Sequence, residues 1–135
     1  LKQARVGIVP EVNLLGYTAA LAAYQHGDEW LSQLLIYLEG NFQALVNNLQ
    51  ENIPVIKITP IEGTYLAWLD CRDLELEKSP YEFFLQNAGV AFNDGKIFGP
   101  GGEGFVRFNF GCPRSLMIEG LERMKQALEN VKQKA

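Results

Sequence analysis

Apolar side chains recur along this chain with two periods, and the longer period predicts helices. After Asp28, which suits a helix N-terminus, apolar residues follow at three- and four-residue spacing and predict a helix over about 29–51, with Gly40 tolerated inside it. The same spacing predicts a last helix over about 115–132. A serine, a proline and a glutamate at capping positions predict a short helix that ends at Gly89.

Runs of apolar, β-branched and aromatic residues, partly alternating, predict four strands. They cover 54–58, 64–70, 90–92 and 105–110, and the first two are expected to pair in antiparallel fashion. A glycine-dense loop over 93–104 separates the last two. Together with the helices, this order predicts an α+β fold in which a small, mostly antiparallel sheet is covered by helices on one side.

A further helix is predicted over 12–26, where the chain is rich in alanine and leucine and stops at Gly27. Its apolar residues lie nearly all round the helix, which is typical of a segment that is covered on several sides. At the edge of a small domain, such a helix is expected to pack on something outside that domain. We therefore expect residues 1–27 to form an interdomain segment and residues 28–135 to form the small domain.

The composition narrows the choice of partners. The formal net charge of −4 and the pI near 5.0 exclude the basic surface that nucleic acid or an anionic membrane would require. No apolar run approaches a membrane span and the start does not resemble a secretory signal, so we expect a cytoplasmic protein. Cys71 and Cys112 are expected to be free thiols, and with His26, the single histidine, they are too few for a zinc site.

Arg107 is the first candidate for a functional residue. The alternation of the predicted strand places it on the same face as Phe105 and Asn109. A guanidinium can bind a carboxylate through two parallel hydrogen bonds, which a lysine cannot reproduce. The alternative is an arginine on an exposed strand face that is simply solvated, and the residue pattern alone leaves both interpretations open.

Three other features have a structural interpretation. The loop over 93–104 does not match a phosphate-binding glycine motif, and we expect either a mobile loop at the mouth of a site or a plain connection. Arg114 opposes the dipole of the last helix, which predicts an acidic or carbonyl partner and a structural role. His26 is expected to mark a helix end rather than to act as a base.

Three stretches in a fixed order carry a resemblance to a known family. Together they resemble the C-terminal third of fold-type I, pyridoxal-phosphate (PLP)-dependent enzymes of the aminotransferase class I/II superfamily, in the cystathionine β-lyase or C-S lyase branch of MalY/PatB type. They are AAYQHGDEWL (22–31) with YLEGN (37–41), GTYLAWLD (63–70), and GEGFVRFNFGCPRS (102–115). The NDG triplet at 93–95 also fits that branch.

The resemblance implies a function for the whole enzyme and a role for one residue. In that family the arginine of the matching strand, here Arg107, holds the α-carboxylate of the amino-acid substrate. The implied reaction is β-elimination from a sulfur amino acid with PLP as cofactor, giving a thiol, pyruvate and ammonia. The Schiff-base lysine and most cofactor contacts belong to the family's large domain, against which residues 1–27 would pack. We therefore expect this chain alone to be inactive and free of PLP, and the full-length enzyme to be a homodimer.

Two other functions stay open. A class I/II aminotransferase shares the fold, the cofactor and the carboxylate arginine, and this domain does not separate it from a lyase. A free-standing regulatory module that binds an amino acid would also use a small α+β layer with one buried arginine. An upstream segment with a Schiff-base lysine would favour the enzyme over the module.

Overall fold

The computed structural model describes residues 12–132 of the chain. The chain divides into two compact units, residues 1–36 and residues 37–135. The helices and strands are α1 (Leu14–His26), α2 (Asp28–Asn52), β1 (Lys57–Ile58), β2 (Leu66–Asp70), α3 (Pro80–Ala88), β3 (Asn93–Asp94), β4 (Phe105–Asn109) and α4 (Arg114–Lys132). Two short 3-10 turns lie between them. The predicted division of the chain after residue 27 stays a prediction.

In the first unit, α1 has well-formed ends and an unburied surface. Asn13 accepts a hydrogen bond from the Gly16 N–H through Oδ1 at 2.8 Å, which caps the N-terminus. At the other end, the Gly27 N–H donates to the carbonyl oxygen of Ala23 at 2.8 Å. His26 is the last helical residue, as predicted, and no residue of α1 is buried. Within residues 12–132, no helix combines the length and the apolarity that crossing a membrane requires.

In the second unit, the four strands form one antiparallel sheet in the order β1-β2-β4-β3. The central strands β2 and β4 pair along their whole length, with Trp68 opposite Arg107. Strand β3 pairs with the other side of β4 and places Asn93 opposite Arg107. The predicted α+β class with an antiparallel sheet is confirmed, and most element ends lie within two residues of the prediction.

The hydrophobic core lies on one face of this sheet. Alternate residues of β2 and β4 point into it, and the rest come from α2, α3, α4 and the connecting segments. Burial of each large apolar side chain contributes about 1.5–3 kcal/mol to folding. The fully buried side chains include Leu45, Leu49, Leu69, Phe84, Val106, Phe110, Met117, Leu121 and Met124.

The first predicted strand is mostly a turn. Of residues 54–58, only Lys57 and Ile58 pair with β2. Pro54 and Val55 lie in a turn directly after α2, because the chain reverses there with the Ile56 N–H donating to the carbonyl of Ile53 at 3.0 Å.

The third predicted strand is wrong in position. Residues 90–92 do not pair, and the strand is Asn93–Asp94 instead. Gly89 ends α3 in the left-handed conformation, with φ 62°, and the Val90 N–H donates to the carbonyl of Phe84 at 3.2 Å. The residues after α3 therefore complete the helix end before any strand can begin.

A single buried amide connects α2 to the end of β4. Asn41 is 0% exposed, and its Nδ2 donates to the carbonyl oxygens of Phe110 and Cys112, both at 2.9 Å. Its Oδ1 accepts from Arg114 Nε at 3.0 Å. The Arg114 backbone N–H donates to the hydroxyl of Tyr37 at 2.9 Å. Arg114 thus has a carbonyl partner and a structural role, as the sequence predicted.

The Arg114 side chain also passes over the glycine inside α2. A methyl group on Gly40 would require the Nη2 end of this side chain to shift. Glycine costs roughly 1 kcal/mol of helix stability relative to alanine, and here it opens the space through which Arg114 reaches Asn41.

We expect Asn41→Ala to lower the free energy of unfolding by about 2–4 kcal/mol, because the buried carbonyl of Phe110 and the part-buried carbonyl of Cys112 lose their donor and Arg114 loses its acceptor. Urea denaturation of this chain measures the change. Asn47→Ala on the exposed side of the same helix is the matched control and should stay within about 0.5 kcal/mol of the original chain. Equal losses for the two variants would contradict the structural role of Asn41.

Candidate functional site

Arg107 lies in the middle of the sheet, on the face opposite the core. Strand β4 alternates between buried Val106 and Phe108 on one side and Arg107 with its two same-face neighbours on the other. The residues directly across from Arg107 are Trp68 on β2 and Asn93 on β3. Because directly opposed residues share a face, these two side chains flank the guanidinium.

The contacts of the Arg107 guanidinium are with neutral groups. Its Nη2 donates to Oδ1 of Asn93 at 2.9 Å, and its central carbon lies 4.7 Å from the centroid of the Phe98 ring. None of the ion pairs within residues 12–132 includes it. Its Nε–H is buried without an acceptor among the described residues. The positive charge is therefore held in place but not neutralised by a carboxylate of the described chain.

An aromatic row, Phe98, Trp68 and Phe105, runs across this face beside Arg107. The Phe98 ring meets the Trp68 ring edge-on, with centroids 5.5 Å apart at 81°. Trp68 stacks on Phe105, with centroids 5.5 Å apart at 15°. The guanidinium of Arg72 lies 4.8 Å from the centroid of Phe105, at the other end of the row. The row thus has an arginine at each end.

The second arginine differs from Arg107 in its partner. Arg72 donates to both carboxylate oxygens of Asp70, from Nε at 2.9 Å and from Nη2 at 2.7 Å. These hydrogen bonds lower the pKa of the Asp70 carboxyl below its usual value, against a smaller opposing effect of burial. The charge of Arg72 is therefore satisfied within the chain.

The turn after β3 holds Asn93 in register. Asp94 Oδ1 accepts from the Lys96 N–H at 3.2 Å and begins the 3-10 turn Gly95–Phe98. The backbones of Gly95 and Gly102 press against each other, and a methyl group on either glycine would overlap the other residue's carbonyl oxygen. The predicted loop over 93–104 therefore begins with a strand and a close backbone contact.

Four lysines with described side chains are exposed or hydrogen-bonded to other side chains. A Schiff-base lysine needs a free amine in an enclosed pocket. Lys57 is exposed, and its hydrogen bond to the Asp73 carboxylate raises its pKa. Lys78 donates to Gln86 at 2.8 Å, and Lys96 is exposed. Lys125 is half-buried and donates to Asn52 at 3.1 Å.

The thiols are isolated groups. Burial raises the pKa of the Cys71 thiol to about 12, with the charge of Asp70 adding to the effect, and the thiol is 2% exposed. Burial also raises the pKa of the half-buried Cys112. Both are free, as predicted. Among residues 12–132, no three His, Cys, Asp or Glu side chains are grouped as metal ligands.

Sequence reasoning identified Arg107 but missed the residues that hold it. Asn93 and Phe98 belong to the loop predicted between strands, where nothing in the pattern shows which strand Asn93 joins. The signal that could have found Asn93 is the NDG triplet, since an asparagine before a capping aspartate and a glycine is typical of a tight turn beside a strand.

Comparison with known proteins places most of the chain in one family. The family model for aminotransferase class I and II matches residues 2–124. Protein MalY of Escherichia coli is 36% identical over 121 residues, which cover 89% of this chain and 31% of MalY. The cystathionine β-lyase PatB of Bacillus subtilis is 36% identical over 122 residues, covering 87% of this chain and 30% of PatB.

A solved structure agrees with these relatives. Cystalysin of Treponema denticola, whose crystal structure contains PLP, superposes with a TM-score of 0.88 at 35% identity, covering 96% of this chain and 33% of cystalysin. The chain thus spans about a third of the length of the relatives it matches.

The small domain, a four-stranded antiparallel sheet with helices on one face, matches the C-terminal part of proteins with the PLP-dependent transferase fold. The chain belongs to the aminotransferase class I and II family.

We expect the buried thiol to resist modification. With its pKa raised to about 12, roughly one Cys71 in ten thousand is a thiolate at pH 8. In the native chain, dithionitrobenzoate should therefore titrate Cys112 and leave Cys71 unmodified, whereas both should react in urea. Cys112→Ser is the control, because it should abolish the native reaction. Rapid modification of that variant would contradict the burial of Cys71.

Proposed function

We propose that this chain is the small C-terminal domain of a longer, PLP-dependent C-S lyase. In this proposal the whole enzyme cleaves sulfur amino acids such as cystathionine or cysteine by β-elimination, giving a thiol, pyruvate and ammonia. Support comes from the family membership and from relatives named as cystathionine β-lyases. The rest of the enzyme, about two thirds of the relatives' length, would supply the cofactor site.

Arg107 binds the substrate α-carboxylate in this proposal. The observation that carries it is a half-buried guanidinium with no carboxylate partner among residues 12–132, fixed by an asparagine and a phenylalanine. Such a group gains from a ligand that brings a negative charge. Because Nε is buried and Nη2 has donated one of its two hydrogens to Asn93, a carboxylate would bind the remaining N–H groups of the two Nη atoms.

The chemical contribution of this chain is positioning. PLP, when bound, acts as an electron sink for the substrate's Cα. The guanidinium holds the substrate carboxylate by two parallel hydrogen bonds, so a substrate that is also held at its amino group cannot turn about the Cα–N bond. The Cα–H bond is then held in one orientation for proton removal by a group outside this chain.

The remaining partners belong to the whole enzyme. The large domain carries the Schiff-base lysine and the cofactor contacts, and residues 1–27 form the segment that packs against it. The full-length enzyme is a homodimer in the cytoplasm. The described lysines are exposed or hydrogen-bonded to other side chains, which supports placing the cofactor site elsewhere.

An aminotransferase is the second candidate, since the family to which the chain belongs contains both activities. The two differ in products. Pyruvate and thiol release from cystathionine identifies the lyase, whereas transfer of the amino group to a keto acid identifies the aminotransferase. Binding of an amino acid without any turnover by the full-length protein would identify a regulatory module.

We expect Arg107→Ala in the full-length protein to lower kcat/KM for cystathionine by tens to thousands of fold. Loss of one partner of a desolvated charge pair costs roughly 2–5 kcal/mol, and each ~1.4 kcal/mol is a factor of ten. Arg107→Lys should lose less, because it keeps the charge but not the two-point geometry. Steady-state kinetics with the cofactor absorbance as a loading control tests this. Near-normal kcat/KM in Arg107→Ala would overturn the carboxylate role.

The surface of α1 gives a separate expectation for this chain on its own. The apolar and aromatic residues of α1 that are 58–89% exposed include Leu14, Leu15, Leu21 and Tyr24. Without the large domain the chain should self-associate at high concentration or bind a hydrophobic dye. Leu14→Gln combined with Leu15→Gln should weaken both, measured by analytical ultracentrifugation.

Leu116→Gln on α4 is the control for that surface, since Leu116 is also 58% exposed but stands outside α1. It should change neither property. A strictly monomeric chain that binds no dye would contradict the interdomain role of α1.

A further inference from the structure

Two arginines on one face of the sheet are held in opposite ways. Arg72 and Arg107 each lie against an aromatic ring of the same row, at 4.8 Å from Phe105 and 4.7 Å from Phe98. Arg72 is neutralised by two hydrogen bonds to the Asp70 carboxylate. Arg107 has an amide oxygen in the corresponding place.

The partner of Arg107 has the shape of a carboxylate but carries no charge, with an NH2 group in place of the second oxygen. Asn93 and an aspartate have nearly the same size, and both offer an oxygen at the end of a short side chain. An aspartate here would form an ion pair with Arg107, whereas the amide accepts one hydrogen bond and leaves the full positive charge available. Phe98 stabilises the guanidinium through its ring face, again without neutralising it.

We propose that Asn93 is a positioning residue for substrate binding, and that its neutrality is the property that matters. It orients Arg107 toward the substrate carboxylate without competing for the charge. This inference rests on the proposed carboxylate role of Arg107. Asn93 reaches its place because β3 pairs with β4 in the register that opposes it to Arg107.

Three variants of Asn93 separate the effect of its missing charge from the effect of its side-chain shape. In the full-length protein, Asn93→Ala should raise KM for cystathionine about fivefold, the equivalent of one lost hydrogen bond. Asn93→Asp, although closer in shape, should raise KM by tens to hundreds of fold, because its carboxylate occupies Arg107. Asn93→Gln keeps a neutral oxygen, so its KM for cystathionine should be lower than that of Asn93→Asp. In all three, kcat should change less than KM.

Binding can be measured without turnover. 3-Mercaptopropionate has the carboxylate and the thiol but no amino group, so it cannot react. Its dissociation constant, measured by calorimetry with the full-length protein, should rise among the Asn93 variants in the same order as KM. Asp70→Asn is the matched control, since it makes the reverse exchange at Arg72, and it should leave KM within about twofold. Circular dichroism and cofactor absorbance confirm folding.

A second pair keeps the test valid if Asn93→Asp fails to fold. Phe98→Glu and Phe98→Gln have the same shape and differ in charge, so the glutamate variant should raise KM more. Equal or smaller effects of the acidic variants, with Arg107→Ala still impaired, would overturn the role of neutrality but leave the carboxylate role intact. A normal KM in Arg107→Ala would instead overturn the proposed function.

Discussion

One buried amide joins the end of β4 to α2. Asn41 makes three hydrogen bonds from a fully buried site, and two of them are to carbonyl groups of the segment that follows β4. If that amide had no partner, the cost would be about 1–3 kcal/mol for each orphaned group. The helix and the strand end are therefore fixed to each other by polar contacts as well as by apolar packing. A strand fixed at its end is a suitable base for an oriented side chain such as Arg107.

Much of the fold could be predicted because the spacing of apolar residues along the chain indicates which face of each helix or strand is buried. The long apolar spacing of α2 and α4 and the alternation in β2 and β4 follow directly from which face lies in the core. The two strands of only two residues could not be predicted in the same way. Strands that short have no measurable period, and their positions follow from a turn after α2 and from the helix end at Gly89.

The candidate site was only partly accessible to sequence reasoning. Arg107 could be identified because its strand is long enough to show which residues share its face, and the family resemblance pointed to the same residue. The NDG triplet marks Asn93 as a turn residue, but its place beside Arg107 could not be predicted, because register is a property of paired strands rather than of one segment. Asn93 and Trp68 are more than twenty residues apart in sequence, yet both lie next to one guanidinium.

The short outer strands affect how readily another chain can pair with the sheet. A free sheet edge offers unpaired backbone groups to which another chain can add a strand. Here both outer strands, β1 and β3, are two residues long, and they carry Lys57 on one side and Asp94 on the other. Edges this short and charged offer little template for intermolecular strand addition. Short, charged outer strands are one of the ways in which native sheets limit edge-to-edge pairing.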